Sequence, residues 1–330
     1  MTTNTFTRHS TDQSITRADV YTRVTDQIIQ AIEAGTEDWN MPWHTTSISG
    51  CPRNAATGNA YRGVNILSLW AVSHMNGYPE GIWATVKQWN DLNRTIKRGE
   101  RAAVGVFWKP IDIQQFGEAE SDSRDDHSEA EANRTRWIAR AFPLFNIAQL
   151  DGYQPPEQPE RPGHQRIVEA EAFVAALGAD VRHGGNRAFY RSSSDHIQMP
   201  PFDVFLDPIA YYGTLLHEAT HWCGAKSRLD RDLSGRFGSE AYAAEELIAE
   251  LGTSFVCADL GIAPEPRPEN AAYINNWLSI LKADKRAIFT ASTHAQRAAD
   301  YLHGLQSSPI LIHGVPSAPA LDNARHSLCL

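Results

Sequence analysis

The segment 211-YYGTLLHEATHWCG-224 determines how the second half of this chain is organised. Asp207 can cap a helix that starts with Pro208, because a short acidic side chain accepts hydrogen bonds from the first turn and proline fits the first helical position. Gly224 lies just past Cys223, as is typical of a helix end. The sequence therefore predicts one helix from Pro208 to Cys223.

Two histidines of this helix lie four residues apart, in 217-HEATH-221. Side chains with this spacing project from one helical face, so both imidazoles can bind one ion. Glu218 lies beside them, where it can accept a proton from water at the open coordination position. We interpret His217 and His221 as metal ligands and Glu218 as the catalytic general base; the alternative is two histidines hydrogen-bonded in a core.

A catalytic zinc needs a third protein ligand, and 245-EELIAE-250 offers three acids on an otherwise apolar helix. Glu246 and Glu250 are four residues apart and share a face, which suits one as ligand and the other as a partner that orients a histidine. We prefer Glu246 as ligand, and the reverse assignment and a solvated helix edge stay open. Glu245 is expected to point elsewhere, as a solvated or capping residue. The cofactor is expected to be one divalent metal, Zn²⁺ or alternatively Mn²⁺.

The other elements of the second half follow from similar signals. Helices are predicted over 165–177, 239–260, 270–282 and 292–302, and short strands over 188–190 and 195–199. The strand in 195-DHIQMP-200 precedes the HExxH helix. It is our candidate for the edge strand along which a substrate would lie.

A proline-rich stretch, 151-DGYQPPEQPERPGHQ-165, divides the chain. Its four prolines within eight residues exclude a regular helix or a central strand and favour a stiff connector. We predict domains at 1–152 and 166–305, a linker at 153–165 that few contacts cross, and a tail at 306–330.

The first half combines a helix with strands. Valine and isoleucine recur every four residues within 16–34, which predicts a helix that Gly35 ends. Two strand-length runs, 103–108 and 135–144, flank the acidic segment 117–132, which is expected to be an exposed hairpin loop. The fold class is therefore predicted as α+β, with two domains of which the second is mainly helical.

The composition is that of a globular protein, with 42% hydrophobic and 21% charged residues, and it excludes a mostly disordered or collagen-like chain. Four cysteines without a CxxC pair indicate buried thiols rather than a disulfide framework. No run approaches the ~20 apolar residues that cross a bilayer, and the first residues include no apolar export segment. We expect a cytoplasmic protein without a membrane partner.

Basic and aromatic residues concentrate in the first half, although the net charge of the chain is −9. From Arg53 to Lys109 there are eight basic residues against three acids, and seven of the nine tryptophans lie in the first 150 residues. Cations for phosphates and flat rings for bases are what single-stranded DNA binding needs. The candidate contacts are Tyr61, Arg62, Trp83, Lys87, Trp89, Lys97, Arg98 and Lys109. Core packing is the alternative for any single ring.

Both halves resemble one known family. HEATH followed by 246-ELIAE-250 looks like a gluzincin-type metallopeptidase. The chain is similar to the ArdC family of plasmid-encoded antirestriction proteins in the segments 54-NAATGNAYRGVNILSLW-70, 83-WATVKQWNDL-92, 97-KRGERAAVGVFWK-109, 142-FPLFNIAQLDG-152, 211-YYGTLLHEATHWCG-224, 242-YAAEELIAELGTSF-255 and 273-YINNWLSILKADKRAIFTA-291. The resemblance covers about residues 16–302 and excludes the acidic segment and the tail.

The resemblance implies a single-stranded-DNA-binding N-terminal domain and a zincin-like metallopeptidase domain in which Glu246 is the third ligand and Glu250 supports the site. It implies an antirestriction function with an unknown protein or peptide substrate, for which a component of host restriction is one candidate. Two alternatives stay open: a DNA-coating protein with a non-catalytic metal, and a DNA-dependent protease that acts on DNA-bound proteins. Tyr242, Arg228 and His183 are candidates for stabilising the oxyanion of the reaction.

Overall fold

The structure is a computed structural model that describes residues 17–35, 50–111, 136–155, 163–205, 207–235, 239–262 and 270–306. The acidic segment 117–132, the central part of the proline-rich linker and the tail beyond residue 306 lie outside the described residues, so the predictions for them stay predictions. The last residues assigned to the linker belong to a helix that begins at Gly163.

The first half consists of α1 (Arg17–Gly35), β1 (Arg53–Asn54), α2 (Val64–Asn76), β2 (Ile82–Ala84), α3 (Val86–Asp91), β3 (Ala103–Ile111) and β4 (Arg136–Asn146). The strands form one sheet in the order β1-β2-β4-β3, in which β1 and β2 are parallel and the other pairs antiparallel. β3 pairs along its whole length with residues 136–144 of β4, so the two predicted strand runs do form an antiparallel pair.

The second half consists of α4 (Gly163–Ala176), β5 (Asp180–His183), β6 (Phe189–Arg191), β7 (His196–Met199), α5 (Pro208–Cys223), α6 (Glu240–Leu260), α7 (Asn270–Ala283) and α8 (Ala287–Gly304). The predicted caps are present: Asp207 accepts a hydrogen bond from the backbone of Ala210 at 2.8 Å, and Ser239 accepts one from Tyr242 at 3.2 Å. Both helices of the predicted metal site therefore begin where the sequence indicated.

The strand chosen as the substrate edge is not an edge. The three strands lie in the order β5-β7-β6, so β7, which contains most of 195–200, is central. Three of its four residues are buried, as expected for a strand with a neighbour on each side. A fully flanked strand cannot pair with a substrate, and the edges are β5 and β6.

The hydrophobic core runs through both halves of the chain. Trp70 of α2 packs against Phe255 of α6 with ring centroids 5.8 Å apart, and Tyr21 of α1 packs against Phe289 of α8 at 4.6 Å. All four belong to one continuous buried cluster. The expectation that few contacts cross the linker is therefore wrong, because the apolar faces of α1 and α2 are buried against helices that follow the linker.

Candidate metal centre and nucleic-acid interface

α5 and α6 pack together and bring two imidazoles onto one carboxylate. The Nε2 atoms of His217 and His221 lie 3.1 Å apart. The Glu246 carboxylate lies 3.4 Å from Nε2 of His217 and 3.6 Å from Nε2 of His221. One possible ligand atom from each of the three residues lies within 4.8 Å of the others. Among the described residues, these three are the His, Cys, Asp or Glu side chains that lie close enough together to bind one metal ion. The structure thus places Glu246 where the sequence preferred it.

A second carboxylate lies behind each histidine. Oε2 of Glu250 is 3.9 Å from Nδ1 of His217, on the side away from the cluster, which fits the supporting position predicted for it. Oε1 of Glu245 is 3.0 Å from Nδ1 of His221. The expectation for Glu245 is therefore wrong: it is buried, because α6 is embedded so deeply that two adjacent positions face α5.

Arg231, in the loop after α5, holds Glu245 in place. Its guanidinium donates to both Glu245 oxygens, at 2.7 and 3.1 Å, and to the carbonyl oxygen of Thr220 at 2.6 Å. Its side chain is only 3% exposed. The sequence analysis missed this residue, because its polar loop resembles any surface loop.

Gly224 was interpreted in the sequence as a residue typical of a helix end, but its structural role is to leave space for Arg231. Gly224 has φ −72° and ψ −10°, a conformation open to any residue, so its backbone does not require glycine. A Cβ atom there would lie 2.8 Å from the Arg231 guanidinium. Glycine at this helix end therefore leaves room for a buried cation.

The electrostatics of the cluster favour a bound cation. Burial alone would lower the pKa of His221, but the hydrogen bond to Glu245 and the charges of Glu246 and Glu218 raise it above its ordinary value. Burial raises the pKa of Glu246, yet the hydrogen bond with His217, the charges of both histidines and a hydrogen bond from Tyr242 together lower it to about 2. Glu246 is therefore ionised, and its negative charge can offset that of a divalent ion.

Glu218 is held beside this cluster by the edge strand β6. Its Oε2 accepts a hydrogen bond of 2.9 Å from the backbone N–H of Tyr190, and its side chain is buried. Because this N–H donates to Glu218 and not to the central strand β7, it points to the outer side of β6. β6 is therefore the edge strand that contacts the predicted general base.

The three oxyanion candidates have different surroundings. Tyr242 lies at the cluster, where its side chain hydrogen-bonds Glu246. The Arg228 guanidinium lies 4.0 Å from the Trp222 ring and pairs with Asp195. Nε2 of His183 hydrogen-bonds the Tyr211 hydroxyl at 2.8 Å. Of the three, Tyr242 is the one in contact with the candidate ligands.

Two of the predicted DNA contacts are buried. Trp83 is 0% exposed and Trp89 is 2% exposed, so neither ring can stack on a base, and their assignment as DNA contacts is corrected. They pack in two small clusters, and Nε1 of Trp89 donates to the Phe145 carbonyl. A count of tryptophans in the sequence does not tell which face of a strand or helix each one occupies.

The other predicted contacts reach the surface to different degrees. The exposed ones are Arg62, Lys87, Lys97, Arg98 and Lys109. Tyr61 is partly buried and its hydroxyl accepts a hydrogen bond from Asn54 at 3.0 Å, while Arg62 pairs with Asp300. Within the described residues of the first half, the exposed large rings lie on β3 and β4: Phe107, Trp108 and Trp137 are 46%, 44% and 53% exposed. In the described part of the chain, no helix is both long and apolar enough to span a bilayer.

Comparison with known proteins covers both halves. Residues 18–145 match the family described as the N-terminal domain of anti-restriction factor ArdC, and residues 168–294 match a zincin-like metallopeptidase family. Protein y4eC of Sinorhizobium fredii is 53% identical over 293 residues, which are 88% of this chain and 94% of that protein. Two DNA primases TraC of Escherichia coli are each 35% identical over 87% of this chain, which spans only 27% and 20% of their lengths.

Two crystal structures of the antirestriction protein ArdC from plasmid R388 have the same architecture. The metal-free one has a TM-score of 0.69 and 37% identity, over 87% of this chain and 98% of that chain. The Mn(II)-bound one has a TM-score of 0.69 and 36% identity, over 88% and 98%. The matched length and the two family domains in the same order lead to one conclusion. This chain belongs to the ArdC family of antirestriction proteins and combines the ArdC N-terminal domain with a zincin-like domain.

Proposed function

We propose that this protein is an antirestriction protein that binds single-stranded DNA through its N-terminal domain and hydrolyses a peptide bond in its zincin-like domain. The observation that supports hydrolysis best is the juxtaposition of three possible ligand atoms within 4.8 Å with a buried carboxylate beside them. We also propose that it acts in the cytoplasm, where an entering DNA strand would meet restriction enzymes.

The donor set fits a divalent metal. His217, His221 and Glu246 would hold it, since two imidazoles and one carboxylate are a common catalytic set for Zn²⁺ and leave a position open. The Mn(II)-bound structure of the R388 protein makes Mn²⁺ the second choice. When bound, such an ion lowers the pKa of water and polarises a carbonyl group.

The protein's own groups would do the remaining work. Glu218 would accept a proton on its carboxylate and deliver it to the leaving amine, and the Tyr190 N–H fixes the orientation of that carboxylate. Glu245 would keep the ring of His221 in one orientation, with Nε2 directed to the cluster. An extended peptide would lie beside Glu218 on the outer side of β6.

A protein that only coats DNA, with a metal that only stabilises the fold, is the competing proposal. A structural zinc site completes four protein ligands and needs no general base. Here three possible ligands converge, and Glu218 is buried next to them without belonging to the group. This arrangement favours hydrolysis. A protease directed to DNA-bound proteins would use the same residues and differs only in its substrate.

The test compares metal content and peptide hydrolysis, with and without single-stranded DNA, in wild type and Glu218→Gln. We expect the variant to retain the metal and lose hydrolysis, because the general base is not a ligand. Glu240→Gln is the control, because Glu240 is an exposed acid in the first turn of α6. A wild type that contains no metal and takes up none when zinc is added would contradict the proposal.

A plasmid-transfer assay separates hydrolysis from coating. If hydrolysis is the working activity, Glu218→Gln should lose protection of entering DNA against restriction while binding single-stranded DNA normally. Full protection by this variant would show that coating of the strand is sufficient.

A further inference from the structure

One face of the β3–β4 pair combines two aromatic rings with two basic side chains. Phe107 and Lys109 are two residues apart on β3 and therefore share a face. Phe107 is directly opposite Arg140 on β4, and Phe142 lies two residues further along the same face. We call these four residues the hairpin platform.

The two rings of the hairpin platform lie against each other and on the backbone. Their centroids are 5.8 Å apart and their planes are inclined by 65°. A Cβ atom on Gly105, which pairs with Phe142, would lie 2.6 Å from that ring, so glycine allows the ring to lie across the strand. Phe107 remains 46% exposed on top of this arrangement. Phe107 and Phe142 therefore form one aromatic patch, of which Phe107 is the more exposed ring.

Two cations flank the rings. Lys109 and Arg140 are both exposed, and neither forms an ion pair with another residue in the described ranges. Other arginines are already paired: Arg62 with Asp300, and Arg231 with Glu245. Among the described residues, Lys109 and Arg140 are therefore not neutralised by an acid, and two cations beside the rings fit a polyanion better than an apolar partner.

The buried Trp83 lies beneath the hairpin platform. Its ring lies in a cluster with Leu144 and Ala103, against which Phe142 and Tyr61 pack. The ring that the sequence analysis assigned to DNA therefore supports the hairpin platform from below.

We propose that the hairpin platform binds single-stranded DNA, with Phe107 and Phe142 contacting bases and with Lys109 and Arg140 contacting phosphates. Free bases can stack on exposed rings, whereas the bases of a duplex are already stacked on one another. The inference rests on the proposed single-stranded DNA binding and adds its location.

The experiment measures binding of a labelled oligothymidine of about 20 nucleotides, which exceeds the usual site of one domain, to the full-length protein by fluorescence anisotropy. Phe107→Ala should weaken binding at least about fivefold, the lower limit for loss of one stacked base. Lys109→Gln with Arg140→Gln should reduce the slope of log affinity against log salt by about 1.4, since each phosphate contact on a single strand contributes about 0.7.

A matched control comes from the second half of the chain. Phe202 is 43% exposed and Lys226 is exposed, so Phe202→Ala with Lys226→Ala removes a similar ring and a similar charge. This control should bind DNA like wild type. Thermal unfolding should show that all variants fold. If Phe107→Ala does not fold, Lys109→Gln with Arg140→Gln still tests the proposal, because these two substitutions change only exposed side chains.

The outcomes distinguish the location from the function. If the wild type does not bind the oligonucleotide, the proposed DNA binding itself is wrong. If it binds and the platform variants match it in affinity and salt slope, only the location is wrong. Trp137→Ala, on the opposite face of the same strands, would show whether that face binds instead.

Discussion

Replacing Glu245 with glutamine tests whether the carboxylate behind His221 supports the metal site. In the folded protein this carboxylate faces Nδ1 of His221 at 3.0 Å and accepts two hydrogen bonds from Arg231. A glutamine has nearly the same shape, but its amide nitrogen is a donor and must face either the imidazole N–H or the guanidinium. One hydrogen bond is then lost and the charge of Arg231 is left without its partner.

Two separate magnitudes follow. Removing one partner of a buried ion pair costs about 3–5 kcal/mol of the free energy of unfolding. We expect the lower end of about 3 kcal/mol, because Arg231 keeps its hydrogen bond to the Thr220 carbonyl. Loss of the group that orients a metal-binding histidine lowers metal affinity about 10–100-fold.

Measurements on the apo and the metal-bound protein separate the two effects. Urea unfolding in the presence of a chelator gives the free energy of unfolding of the apo protein. Competition with a chromophoric chelator gives the zinc dissociation constant. Glu245→Leu combined with Arg231→Met should recover much of the stability, because both buried charges are removed, but should not recover zinc affinity, because His221 still lacks its acceptor. If Glu245→Leu with Arg231→Met, which has no acceptor for His221 at this position, changed zinc affinity by less than about twofold, the assignment of an orienting role would be refuted.

Three further outcomes are expected. Glu246→Ala should weaken zinc binding more than Glu250→Ala, because Glu246 lies beside both Nε2 atoms and Glu250 is 3.9 Å from an Nδ1 atom; zinc titration of both variants checks this order. Zinc affinity should fall as the pH is lowered, and the fall should begin above about pH 6.5, the ordinary pKa of histidine, because the raised pKa of His221 keeps a proton on its ring that the metal must displace; titrations at several pH values measure the slope. A fragment that ends at Tyr153 should be poorly folded and bind a hydrophobic dye, because it exposes the Trp70 face that packs on α6, and a cooperative unfolding transition in this fragment would contradict that expectation.

Local patterns predicted the centre of the site well. The caps of α5 and α6 and the position of Glu246 follow from spacing along single helices, and the structure agrees with them. These features depend on residues within a few turns of one another, so sequence distance is a good guide to their position in space.

Features that depend on packing between distant elements could not be predicted. Arg231 reaches Glu245 across fourteen residues and a loop, and nothing in its neighbours distinguishes it from a solvated arginine. Trp83 and Trp89 have the composition of DNA contacts but lie beneath the surface. The sequence indicates which residues are aromatic or charged, whereas the fold decides which of them meet water.

The continuous core described above limits how this protein can be rebuilt. Phe255 on α6 packs against Trp70, so α6, the helix that positions Glu246, is packed against residues of both halves of the chain. A recombination event that moved only one half to another gene would separate these packed surfaces and expose the apolar side chains of both. The unit that can be exchanged as a working piece is therefore the pair of halves together.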